Sequence, residues 1–165
     1  MKIPVITFAA YSNTGKTTYL EKLLPCLKAR GLRVAVIKHD AHDFQIDTPG
    51  TDTSRMAAAG ADVVAIASGR RFALMEQRSL SVEEIVSRIS GVDLILTEGF
   101  KHGPYPKIAL YRKDSGNPLA ADLKDCLAVA ADTPLEADGP VFPLEDPTPL
   151  AEYLVRLVAS ENPKP

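Results

Sequence analysis

The chain has 165 residues, enough for one domain that buries a continuous core without disulfides or a structural metal. Its 45% hydrophobic and 24% charged residues are those of an ordinary globular protein, and a net charge of -2 leaves no basic field to neutralise a run of nucleic-acid phosphates. Binding to DNA or RNA is therefore not expected, and any anion should be held at a local site. No apolar run approaches the roughly 18 residues of a membrane span, so no membrane partner is expected either.

Apolar runs rich in Val and Ile alternate with segments of helical period, the pattern of an α/β fold with a mostly parallel sheet. "IPVITFA" (3 to 9) reads as the first strand. It follows Met1-Lys2 too closely to be a signal peptide, which together with the two cysteines points to a cytoplasmic location. Those cysteines, Cys26 and Cys126, show no metal or redox spacing and read as buried thiols. Tyr19, Leu20, Leu23, Leu24 and Leu27 recur at helical spacing, predicting a helix from Lys16 to about Arg30. Gly31 ends it, and Pro25 inside it suggests a kink. "RVAVIKH" (33 to 39) is a second strand, apolar enough to be buried on both faces.

A polar loop covers 40 to 50, and a short helix runs from about Thr51 to Ala59. "ADVVAIAS" and "RFALMEQ", joined through Gly69-Arg70, predict an antiparallel hairpin. Ser81 and Glu84 form a capping box for a helix to about Ser90. "VDLILTEG" (92 to 99), the most apolar short run, should lie centrally in the sheet. "PKIALYR" (106 to 112) and "CLAVAAD" (126 to 132) add strands. Pro134 to Pro149 reads as a connector, with Asp146-Pro147 starting a closing helix through about Val158. No repeat or linker interrupts this single domain.

The segment with chemistry is "AAYSNTGKTT" (9 to 18). From Gly15 onward it fits the phosphate-loop pattern G-x-x-x-x-G-K-[ST], and it stands between a strand and a helix as that pattern requires. Alanine replaces the first glycine at position 10 and is permissible where φ stays negative. Backbone amides of Ser12, Asn13, Thr14 and Gly15 would converge on phosphate with the helix's positive end. Lys16 would reach the β and γ phosphates, and Thr17 would offer its hydroxyl to Mg²⁺.

A carboxylate should order the metal shell. Glu98, ending an uninterrupted apolar strand, is preferred to Asp47 in "DTPG", whose preceding residues are polar. Lys16 and Glu98 are thus the candidate catalytic pair. In "KHDAHDF" (38 to 44), Asp43 is the best candidate for a supporting role near the metal; zinc lacks an obvious third ligand there, and an exposed charged loop is the plain alternative. Lys101 and His102 contact phosphate or cap a surface turn. The guanine-reading motif N-K-x-D is absent. Asp132, at the end of a late strand, would either accept hydrogen bonds from guanine or cap a turn.

"FAAYSNTGKTT", "IKHDAHDFQIDTPGTDTSRMAAAGA" and "LILTEGFKHGPYPKIALYR", in this order and spacing, closely resemble the MobB family of molybdopterin-guanine dinucleotide biosynthesis adapters over about residues 3 to 133. The resemblance implies a three-layer P-loop NTPase fold, akin to dethiobiotin synthetase and the nitrogenase iron protein. It implies GTP and Mg²⁺ as ligands, and weak GTPase activity. The implied partner is the molybdenum cofactor guanylyltransferase, with molybdopterin a further candidate ligand and a homodimer the expected assembly. Carried over by position, Gly15, Lys16, Thr17 and Thr18 bind phosphate and metal, and Glu98 with Gly99 forms the strand-end acidic site. Asp47, Gly50 and Asp52 match a D-x-x-G-x-D segment for which the resemblance implies effector or partner contact, and Asn13 departs from the glycine of a relative. Three rivals share parts of the pattern. A small-molecule kinase would want an arginine-rich lid, for which Arg70-Arg71 is the only adjacent pair; a regulatory GTPase would want N-K-x-D; a scaffold would need no nucleotide.

Overall fold

The computed structural model describes residues 2–40, 44–100 and 102–161. It contains two compact units, one formed by Met1–His39 with Val86–Pro165 and the other by Asp40–Ile85.

The larger unit is built on a six-stranded, wholly parallel sheet. Its strands are β1 (Val5–Ala9), β2 (Val34–Lys38), β5 (Leu94–Glu98), β6 (Lys107–Tyr111), β7 (Cys126–Ala131) and β8 (Val141–Pro143), in the order β2-β5-β1-β6-β7-β8. Parallel strands need crossovers, and α1 (Lys16–Ala29) supplies the one from β1 to β2. Alternate residues face one core: Ile6 and Phe8, Leu94 and Leu96, Ile108 and Leu110, and Ala128 and Ala130 pack with Leu20, Leu23 and Leu27 of α1 and Leu150 and Leu154 of α4 (Thr148–Glu161). Ala109, Val129 and Ala131 point the other way and pack with Leu123 and Cys126. The central strands are thus covered on both sides, which is why their sequences are apolar without alternation.

Helix α1 ends in a Schellman motif: the Leu32 amide reaches the Leu27 carbonyl, the Gly31 amide reaches that of Lys28, and Gly31 takes φ +83°. The helix runs on past Pro25 to Ala29. Cys126 is buried, whereas Cys26 is only half-buried.

Besides the burial of Cys26, two expectations about the strands of this unit need correction. β2 is an edge strand with only Ile37 buried, so its apolar run is not covered on both faces. The proline-rich connector contains β8, a three-residue edge strand paired with β7; Pro140 precedes it and Pro143 ends it, and prolines are tolerated at an edge where donors are not required.

One polar pair lies in the core. Thr7 and Thr97 are register partners in β1 and β5, both fully buried, with their hydroxyls 2.8 Å apart. Thr97→Val should cost about 2 kcal/mol by stranding the Thr7 hydroxyl, and Thr7→Val/Thr97→Val should recover most of that. Urea unfolding of the two single variants and the double variant measures this; additive losses would show that the hydroxyls do not serve each other.

The smaller unit contains α2 (Asp52–Ala58), β3 (Val63–Ala67) and β4 (Phe72–Glu76). Thr51 caps α2 by accepting the Ser54 amide. β3 and β4 form the expected antiparallel hairpin, closed by Ser68 N–H to the Arg71 carbonyl at 2.8 Å. Within this unit Val63, Ile66, Phe72 and Leu74 are exposed. The capping box is formed reciprocally: Ser81 N–H donates to Glu84 and Glu84 N–H to Ser81 Oγ, at the start of α3 (Val82–Ser87).

Candidate functional site

The site lies at the carboxyl edge of the parallel sheet, where ligands bind in open α/β folds. The chain leaves β1 toward β2 and β5 on one side, and later continues from β6 to β7 and β8 on the other. The boundary between β1 and β6 is therefore the point where strand order reverses, and the loop at 10–15 leaves the sheet there.

Two residues bend that loop. Asn13 takes φ +64° and Gly15 φ +88°. Asparagine is among the few non-glycine residues that enter this region readily, so the loop can bend here without a glycine. Gly15 is also the N-cap of α1, and no side chain caps the helix. The first amides of the helix are thus left for an external acceptor, the condition for anion binding at this position.

Side chains from the first helical turn meet the end of β5. Thr17 Oγ1 donates to Glu98 Oε1 at 3.1 Å, and Lys16 Nζ lies 3.9 Å from the same oxygen. Lys16 also reaches the Ala10 carbonyl at 3.4 Å, arching over the loop. β5 pairs directly with β1, with Phe8 beside Glu98, so the topology itself delivers the carboxylate to the helix start. Thr14 is buried, while Ser12, Asn13 and Thr18 are exposed.

The backbone after Glu98 is tightly constrained. The His39 amide donates to the Glu98 carbonyl at 2.8 Å, and a Cβ on Gly99 (φ +94°) would sit 2.9 Å from His39 Cβ. Phe100 follows at φ +49°, its ring 4.5 Å from that of His39. A bulky residue held left-handed marks local strain beside the acidic group.

On the opposite side, two residues that the sequence did not single out contact the loop. Arg112, just beyond β6, donates through Nε to the Thr14 carbonyl at 3.4 Å and through Nη1 to Glu145 at 3.1 Å. Asn117 Nδ2 donates to the Ser12 carbonyl at 2.9 Å. Asp132 accepts the Lys113 amide at 2.9 Å and so fastens this same turn to the end of β7.

Asp47, the other carboxylate considered for the metal, lies in the smaller unit and caps its own turn: Oδ1 accepts from the Thr48 amide at 2.8 Å and from Thr51 Oγ1 at 2.9 Å. A hydrogen bond from Thr53 holds its carboxyl below the usual range, aided by Thr51 and Thr48 against the opposing effect of burial. Asp43 and Lys101 lie outside the described residues, and His102 is exposed. Among the described residues, no three His, Cys, Asp or Glu side chains converge as a metal cluster. No described helix is long and apolar enough to cross a membrane.

Residues 5–132 match the family model described as "MobB: Molybdopterin guanine dinucleotide synthesis protein B". The chain belongs to the MobB family. Similarity extends along nearly its whole length to the molybdopterin-guanine dinucleotide biosynthesis adapter protein of Escherichia coli K12, at 41% identity over 97% of this chain and 96% of that one. The Haemophilus influenzae adapter of the same name is 39% identical over 93% of this chain and 88% of its own length. The crystal structure of Bacillus subtilis MobB superposes with a TM-score of 0.74 at 28% identity, covering 94% of this chain and 98% of that one. The MobB protein homolog from Bacillus stearothermophilus gives 0.67 at 27% identity, covering 97% and 99%. The P-loop NTPase fold with a mostly parallel sheet and an antiparallel hairpin is thus common to this chain and these MobB structures.

Proposed function

We propose that this MobB family member binds GTP with Mg²⁺ at the loop 10–15, hydrolyses it slowly, and serves the molybdenum cofactor guanylyltransferase as an adapter in making molybdopterin guanine dinucleotide. The observation that carries the nucleotide reading is the convergence of Lys16, Thr17 and Glu98 at an uncapped helix start behind a left-handed Gly15. The names of the E. coli and H. influenzae relatives support the pathway.

The donor set fits the ligands. Mg²⁺ takes hard oxygens, usually one or two from protein beside phosphate and water; the Thr17 hydroxyl and Glu98 carboxylate are such a pair, and Asp43 is a further candidate. When bound, the metal would neutralise charge on the phosphate oxygens. Lys16 and the amides from Ser12 to Thr18 would hold and orient the polyphosphate, and Gly99 would let the chain turn closely past His39. Asp132 remains the candidate for reading guanine, through the oxygen that Lys113 does not occupy. Slow turnover would suit an adapter whose nucleotide state matters more than its rate.

The exposed apolar side chains of the β3–β4 hairpin support a protein-binding role, because side chains of this kind gathered on one small element commonly mark interaction surfaces. The guanylyltransferase and a second copy of this chain are the proposed partners; molybdopterin would come to the complex rather than require a site defined on this chain. We place the protein in the cytoplasm, where these partners would act.

Melting with and without nucleotide tests the central reading. GTP-Mg²⁺ at a hundred times its dissociation constant should add about 2.7 kcal/mol and raise the melting temperature by roughly 5 to 10 °C. ATP-Mg²⁺ at the same concentration should do much less. An equal rise with ATP would point to a kinase, and no rise with either would point to a scaffold.

A further inference from the structure

Arg112 touches the phosphate loop without being committed to it. Its Nε bond to the Thr14 carbonyl is long, at 3.4 Å, and Nη1 is turned away to Glu145. Nη2 has no hydrogen-bond partner among the described residues and lies 3.7 Å from where a Cβ on Gly15 would be. Glycine there leaves the guanidinium and the uncapped amides of α1 facing the same space. The arrangement follows from topology: Ala109 of β6 is the register partner of Ala9, so the residue just past β6 meets the loop just past β1.

We propose that Arg112 is a phosphate ligand held in reserve by Glu145, and that a bound nucleoside triphosphate replaces Glu145 as the partner of its guanidinium. This rests on the nucleotide reading above and adds to it a built-in counter-ion. The exchange is favourable for physical reasons. Glu145 is 66% exposed, and pairs of this kind contribute little because water and salt screen them. A phosphate offers a denser charge and two oxygens matching the planar fork of arginine, a stronger partner than an exposed carboxylate. Ser115 Oγ, donating to the Arg112 carbonyl at 2.7 Å, and Asn117 on Ser12 keep the turn in place while the side chain swings.

Equilibrium titration of GTP-Mg²⁺ and GDP-Mg²⁺ into the full chain tests this with Arg112→Ala, Glu145→Gln and the double variant. Arg112→Ala should weaken GTP about tenfold, and Glu145→Gln should tighten it about threefold. In the Arg112→Ala background, Glu145→Gln should change nothing. Glu145→Gln alters one exposed group and keeps the test valid even if Arg112→Ala folds poorly. Unchanged affinity in Arg112→Ala overturns the inference; so does equal tightening by Glu145→Gln with and without Arg112, which would make Glu145 a mere background charge. If the unaltered protein binds neither nucleotide, the nucleotide reading fails and this inference falls with it; binding that ignores Arg112 leaves that reading standing.

Discussion

Lys16→Ala is expected to remove nearly all of the rise in melting temperature proposed for GTP-Mg²⁺, while leaving the nucleotide-free protein folded. Truncating one member of a desolvated, hydrogen-bonded charge pair costs about 2 to 5 kcal/mol of binding, roughly 30-fold to a few thousandfold in the dissociation constant, and a rise of about a hundredfold is expected here. Nucleotide at a hundred times the original constant would then only match the new one, and its contribution would drop from about 2.7 to about 0.4 kcal/mol. The folded state has less at stake. Lys16 reaches the Ala10 carbonyl at 3.4 Å and approaches Glu98 at 3.9 Å, and Glu98 keeps its hydrogen bond from Thr17. The loss without ligand should therefore be about 1 kcal/mol. Differential scanning fluorimetry with and without GTP-Mg²⁺ separates the two effects. A full shift in Lys16→Ala would mean that the ammonium does not meet the phosphates.

Much of this site could be read in the sequence because its chemistry is local. Gly15, Lys16 and Thr17 are consecutive, and strand, turn and helix follow in the order the phosphate-loop pattern demands. Glu98 was legible for a different reason: it ends a run so apolar that only an interior strand accommodates it, and the structure pairs that strand with β1. What was hidden depends on strand order. Nothing in "RVAVIKH" distinguishes an edge strand from a central one, so the exposure of Val36 is not legible in it. β8 was hidden because three residues bracketed by prolines carry too short a pattern to register. Arg112 and Asn117 were invisible for the same reason as β2's exposure. Their contacts with Thr14 and Ser12 join residues 98 and 105 positions apart, and arise only because β6 lies beside β1. Asp132 shows the limit of reading one residue in isolation: its place at a strand end was legible, but its bond to the Lys113 amide depends on how β7 aligns with β6.

The second large effect concerns the constrained turn behind Glu98. Gly99→Ala should destabilise the protein by about 2 to 4 kcal/mol, from two sources that add. One is the backbone: φ +94° is a conformation that an L side chain rarely adopts. The other is space, since the new methyl would stand 2.9 Å from His39 Cβ and 3.2 Å from the His39 carbonyl oxygen. Relief would require β2 and β5 to part at their carboxyl ends, where the His39 amide binds the Glu98 carbonyl at 2.8 Å. That movement would draw Glu98 from Thr17, so affinity for GTP-Mg²⁺ should fall together with stability. Gly31→Ala is the control that separates the sources: Gly31 has φ +83°, but nothing lies within 4 Å of its Cβ position. It should lose only about 1 kcal/mol and leave nucleotide affinity unchanged. Urea unfolding and GTP titration of both variants decide the matter. If Gly99→Ala loses no more than Gly31→Ala, the close approach of His39 does not constrain the acidic end of β5, and Glu98 owes its position to the β1–β5 pairing alone.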